Sequence, residues 1–211
     1  MALPPRIELP PPQSLQRLSG FDFTTHMRRL CEDLTARLPQ LAHVDMRRVA
    51  VSYCQARKNV PHGLQASLTP MRFEQGALTT ERRRGRYTLQ RIFDADGVEM
   101  LYLLNFYLPR FLNHSLEEKL ITVVHELWHV SPQFDGDLRR HDGRCYIHSA
   151  SQREYDAEMA RQVAQWLKSK PDRATYAFLE LSFHELRQQY GAVHGLRVPA
   201  PKLIPHEESA D

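Results

Sequence analysis

The chain has 211 residues, 42% of them hydrophobic and 25% charged, with a formal net charge of +3. That length suits one domain with tails and a core of useful size, and the charge is too small to imply a nucleic-acid partner. No apolar run approaches the roughly 20 residues that span a bilayer, and the N-terminus lacks the cationic patch and apolar stretch of a secretory signal. Three widely spaced cysteines, Cys31, Cys54 and Cys145, make a poor disulfide framework and agree with a reducing compartment. The expectation is a cytoplasmic protein that does not enter a membrane.

Residues 1–14 are proline-rich and predict an extended arm. From Phe21 to Leu38 the spacing of Phe23, Met27, Leu30, Leu34 and Leu38 is helical, and Pro39 stops it. Arg47 to Ala56 alternates, with Val49, Val51 and Tyr53 on one face of a strand, and Gly63 to Phe73 reads as a second extended segment. Arg86–Phe93 and Val98–Phe106 form a hairpin candidate around Asp94-Ala95-Asp96-Gly97. The second of these strands is apolar on both faces, which predicts a place inside a sheet with helices on one side. The run Arg82-Arg83-Arg84-Gly85-Arg86 reads as a solvated loop between strands, although it could touch phosphates.

Ser115 with Glu118 three residues later is a capping-box signature. It opens a helix whose Leu116, Leu120, Val123, Val124 and Leu127 share a face, and Pro132 marks its end. Two further amphipathic helices are predicted over 152–168 and 174–190. The segment from Val198 onwards, with Pro199, Pro201 and Pro205, reads as a loosely ordered tail. This organisation is an α+β domain over 15–197, with an arm before it and a tail over 198–211.

The helix beginning at Ser115 carries the motif His125-Glu126-Leu127-Trp128-His129. At about 100° per residue the two histidines sit one turn apart on one face, away from the apolar stripe. Two imidazoles at this spacing reach one Zn²⁺ with Zn–N bonds of about 2.0–2.1 Å. Glu126 projects beside the metal, where it can take a proton from water without being a ligand. The spacing is read as a site for one zinc per chain. Leu127 belongs to the core by its angle, and Trp128 lies at the boundary.

A catalytic zinc takes three protein ligands and keeps one position open. The candidates for the third are His141, Cys145, His148 and an acidic residue of the next helix, Glu154, Asp156 or Glu158. His141 lies twelve residues beyond His129, and the intervening Pro132 and Gly136 allow the chain to fold back. His148 alternates with Tyr146 as on an extended segment, which turns Cys145 the other way and discounts it. His141 is preferred and His148 stays open. Glu154 and Glu158, one turn apart, could instead accept a hydrogen bond from a ligand imidazole. Tyr146, Arg144 or the histidine not used as a ligand could stabilise a developing oxyanion.

The stretch from His125 to Tyr155 resembles a family of uncharacterised zinc metallopeptidases of bacteria, archaea and phages, with the pattern HEL-x-H-I-x-P-x-F-x-G-x-L-R-x-H. The correspondence covers His125, Glu126, Leu127, His129, Pro132, Phe134, Gly136, Leu138, Arg139 and His141. It is specific over about thirty residues and weaker before them. A looser similarity exists to SprT-type proteases, which act on DNA-bound proteins. The resemblance implies a zincin-like fold, with a small, mostly antiparallel sheet packed on the motif helix and additional helices around it. It also implies hydrolysis of a peptide or protein substrate. With the residue reading above, the catalytic candidates are Glu126 and Tyr146 and the metal candidates His125, His129, His141 and His148. A histidine from the loop would give an all-histidine site, and a glutamate from the next helix a thermolysin-like one. Substrate can dock as an added strand on a sheet edge, for which Arg86–Phe93 is the candidate. The rival readings are a non-catalytic zinc module closed by four histidines and a DNA-associated protease using the arginine run.

Overall fold

A strand that is apolar on both faces has to be covered on both faces, and Tyr102–Leu108 meets that demand at the centre of the molecule. The computed structural model describes residues 5–11, 14, 18–56, 62–140 and 152–206, with the backbone alone over 152–156. In chain order the elements are β1 (Ile7–Glu8), β2 (Phe21–Asp22), α1 (Phe23–Arg37), β3 (Val49–Gln55), β4 (Ala66–Pro70), β5 (Thr79–Arg82) and β6 (Gly85–Leu89). There follow β7 (Ile92–Phe93), β8 (Glu99–Met100), β9 (Tyr102–Leu108), α2 (Leu116–Trp128), α3 (Gln152–Lys168), α4 (Phe183–Tyr190), β10 (Val193–His194) and β11 (Leu203–Pro205). The architecture is α+β.

The central sheet has the order β3-β9-β4, with β9 parallel to β3 and antiparallel to β4. Its longest ladder is therefore parallel, where mostly antiparallel pairing was expected. Tyr102, Leu104, Phe106 and Leu108 point to the helices and join the main core with Val49, Val51 and Tyr53. Leu103 and Ala50 point the other way, into a smaller cluster with Met71, Ile92 and Met100. That second face is covered by β1, β7 and β8 and by the chain near Val198, whose N–H bonds Ser52 Oγ.

Local chemistry sets the helix boundaries. Asp22 caps α1 by accepting the Thr25 N–H, and Leu38 ends it just before Pro39. In α2 the Ser115–Glu118 capping box is complete in both directions. Such a cap is worth about 1 kcal/mol. Each of the fully buried Leu120, Val123, Val124 and Leu127 contributes about 1.5–3 kcal/mol. The cap thus chooses where α2 starts, and packing decides where it lies. Buried Trp166 of α3 donates its Nε1–H to Asp33 of α1 at 2.9 Å, tying those helices together.

Several expectations are corrected. The proposed long hairpin reduces to Ile92–Phe93 against Glu99–Met100, because β9 is claimed by β3 and β4 while β6 is flanked by β5 and β11. Arg86–Phe93 is therefore not a free edge over its β6 part. The helix expected over 174–190 is broken into two short 3₁₀ turns and α4, which Ser182 and Glu185 start with a second capping box. The C-terminal tail is paired rather than loose where β11 lies antiparallel to β6. The N-terminal arm is extended and supplies β1 beside β7. Arg83 and Arg84 form the exposed turn between β5 and β6, as a solvated loop would. Among the described residues no helix is long and apolar enough to cross a membrane.

Lys119 is the anomaly on the buried side of α2. It is 2% exposed and donates to the carbonyls of Leu179 and Leu181 at 2.8 and 3.0 Å, anchoring α2 to the turn before α4. Burial pushes its pKa down from 10.5 to about 8. Between those values the unfolded chain holds a proton that the native chain has released, so this lysine makes stability rise with pH over that window. The stability difference between the parent and Lys119→Met, from urea unfolding, is expected to grow in the parent's favour from pH 7.5 towards pH 10. A pH-independent difference would refute the shift.

Candidate functional site

The motif helix brings two imidazoles together at its C-terminal end. His125 and His129 approach at 2.9 Å between their Nε2 atoms, with ring planes 87° apart. Two nitrogens on one tetrahedral zinc at about 2.0–2.1 Å stand roughly 3.3 Å apart, so this pair needs to open by only a few tenths of an ångström to hold such an ion. Among the described residues no group of three or more His, Cys, Asp or Glu side chains is placed to hold a metal. His141, Tyr146 and His148, with Arg144 and Cys145, lie outside the described residues. Glu158 is described, and its carboxylate is taken by Arg161 and Gln162 on its own helix.

Glu126 points toward the sheet. It is 9% exposed, and the backbone N–H of Leu68 in β4 is the polar group that favours its carboxylate. Burial pushes its pKa up to about 7, and the Leu68 N–H restrains the rise by favouring the carboxylate. A carboxyl group so poised can take up and release a proton near neutrality.

The sheet edge beside Glu126 belongs to β4. Gln65 and Met71 bond toward β9, so by alternation Ala66, Leu68 and Pro70 turn their backbone groups outward. The opposite edge of the sheet is occupied, since Tyr53 of β3 donates to the Leu196 carbonyl at 3.0 Å. Hence the edge next to the motif helix is Ala66–Pro70, replacing the Arg86–Phe93 expectation. Beyond Pro70 it continues into a groove of about 510 Å³ lined by Phe73, Thr79, Thr80, Leu138 and Arg140 among others.

After His129 the chain doubles back. Leu138 bridges Val130, and the Arg139 N–H bonds the His129 carbonyl at 2.7 Å. Arg139 Nε–H also reaches the Trp128 carbonyl at 2.7 Å, with the guanidinium 4.3 Å over the Trp128 ring. The return loop is fastened to β9 by Tyr102, whose fully buried hydroxyl donates to the Asp137 carbonyl and accepts the Gly136 N–H. Gly136 has φ +88° and lies so close to Arg72 that an added Cβ would come within 2.6 Å of its Cγ, so glycine is required here. The Asp137 carboxylate gathers the N–H groups of Gln75 and Leu138 and the Arg140 guanidinium, all of which hold its pKa down against the opposing effect of burial.

Sequence reasoning located His125, Glu126 and His129 but not Leu68, Tyr102, Asp137 or the cap by Arg139. Tyr102 carried one usable signal: a hydroxyl in an apolar central strand needs a buried partner. Comparison with known proteins adds no constraint: no family model matches the chain, and no curated protein or solved structure matches it.

Hydrogen bonds to a charged group contribute about 1.5–3 kcal/mol each. Asp137→Ala strands two backbone N–H groups and releases Arg140, so a loss of about 3 kcal/mol is expected in urea unfolding. A loss below about 1 kcal/mol would show that the loop does not depend on this carboxylate.

Proposed function

We propose that this chain is a zinc-dependent peptidase in which His125 and His129 hold the metal and Glu126 is the general base. The observation that carries the reading is that one helix end brings two imidazole nitrogens within 2.9 Å and, at the residue next to the first of them, buries a carboxyl whose pKa is raised to about 7. A surface coincidence of the three residues does not require Glu126 to be buried against a strand.

A zinc ion in this position supplies a Lewis acid that polarises a scissile carbonyl and makes a nearby water more acidic. Glu126 takes the proton from that water and returns it to the leaving amine. The Leu68 N–H favours the charged form of that carboxylate and so moderates the rise that burial imposes. An extended substrate lies along β4, donating its N–H groups to the outward carbonyls of Leu68 and Pro70. Running antiparallel to β4, it places the residues before the cleaved bond toward the groove beyond Pro70. In this reading the fold is zincin-like and the substrate is a peptide or protein.

His141 is our third ligand, because Arg139, two residues earlier, is bonded to the His129 backbone and leads the chain back to the helix end. His148 is the other loop candidate, and Tyr146 is the proposed partner of the developing oxyanion. One observation favours a second ligand set: α3, the helix that bears Glu154, packs along α2.

Purified protein should contain about one zinc per chain, and its complete absence after loading would end the proposal. Glu126→Gln should keep the metal and lower hydrolysis of an unfolded test protein by about 10²–10⁴-fold. Undiminished hydrolysis would remove Glu126 from the chemistry. Metal retention compared across His141→Ala, His148→Ala and Glu154→Ala identifies the third ligand as the one variant that loses it.

A further inference from the structure

We infer that Arg139 and Tyr102 are positioning residues that preset the His125–His129 pair for a divalent cation; the inference rests on the metal reading proposed for this pair. His129 is the C-cap of α2, standing just past Trp128 where a helix has begun to run out of its own hydrogen bonds. Its imidazole meets that of His125 only while this last turn stays wound. The carbonyls of Trp128 and His129 are among those an isolated helix end leaves without donors.

Arg139 supplies both donors. Its backbone N–H serves His129 and its Nε–H serves Trp128, each at 2.7 Å, while its guanidinium plane lies on the Trp128 ring. The bond to His129 is a backbone one, while the planar guanidinium combines the bond to the Trp128 carbonyl with stacking on its ring, which an ammonium cannot do. Arg139 is itself placed from the core. The Tyr102 hydroxyl holds Gly136 and Asp137 at 3.0 and 2.9 Å, and the Leu138–Val130 bridge aligns the next residues with the helix end. A line of contacts therefore runs from the buried middle strand, through the return loop, to the backbone of His129.

The consequence is for affinity. If the turn unwinds part of the time, only the wound fraction offers two convergent nitrogens, and the apparent dissociation constant rises in inverse proportion to that fraction. An ordinary helix cap would change stability alone. A positioning cap changes metal affinity by more than it changes the stability of the metal-free protein.

The test uses the full chain, stripped of metal and titrated with Zn²⁺ and Co²⁺ against a chromophoric chelator, alongside urea unfolding in chelator. Arg139→Gln and Arg139→Lys keep the backbone bond to His129 and lose the side-chain hold on Trp128, and each should weaken metal binding by about 10-fold, the low end for groups that orient ligands. Their metal-free unfolding midpoints should be close to the parent's, and the Co²⁺ visible band should broaden or shift. Arg139→Lys failing like Arg139→Gln would assign the effect to the fork and not the charge. Tyr102→Phe, which keeps the ring packing, should weaken binding in the same direction and serves if the arginine variants do not fold. Parent-like affinity in the folded variants, or a loss no larger than their loss of stability, overturns the inference while leaving the metal site intact. A parent chain that binds neither ion overturns the metal reading itself.

Discussion

Burial of β9 on both faces is the constraint on which the rest of the molecule depends. The strand's helix-facing side, Tyr102, Leu104, Phe106 and Leu108, cannot be covered by another strand without leaving α1 and α2 unpartnered. Its other side accepts Leu103 into a cluster closed by the arm and the β7–β8 turn. With both of its edges also taken by β3 and β4, β9 has no freedom to move. Tyr102 inherits that rigidity. It is the residue through which the most fixed element of the fold reaches the loop behind the two histidines.

The surroundings of Glu126 are set by the same packing. Laying α2 against the sheet by Leu120, Val123, Val124 and Leu127 forces the residue before Leu127 toward β4. There a carboxylate is poorly solvated, and a single backbone N–H from Leu68 offsets only part of the penalty. The protein tolerates this cost in a position where a hydrophobic residue would pack without one. Such a partly compensated group on an otherwise well-packed helix face is a cost that packing alone does not account for.

What could be read in the sequence was what is local. The start of α2, its buried stripe and the shared face of His125 and His129 depend on spacing along one helix, and all are present in the structure. The break at Ser182 was equally local, since Ser182 and Glu185 repeat the signature that marked Ser115, but the apolar spacing across 174–190 concealed it. Strand partners were not legible. A run such as Gly85–Leu89 states only that it will pair, and its neighbours lie before it at Thr79–Arg82 and far after it at Leu203–Pro205. The proline-rich C-terminal tail misled for the same reason: proline forbids helix but not a short edge strand, where a missing N–H is harmless.

The β4 edge is blunted by the same groups that face the motif helix. A bare strand edge invites pairing with another chain. Here Pro70 has no N–H to offer and that of Leu68 is turned to the Glu126 side, so from Leu68 to Pro70 the edge is richer in acceptors than in donors. A second copy of the same edge would oppose carbonyl to carbonyl and gain nothing. The outward carbonyls stay available to any extended chain with free N–H groups, beside a carboxyl whose pKa burial raises to about 7. The Leu68 N–H that moderates the Glu126 carboxyl is thus also the one outward donor that Leu68–Pro70 retains, which ties the electrostatics of the helix to the pairing capacity of the edge.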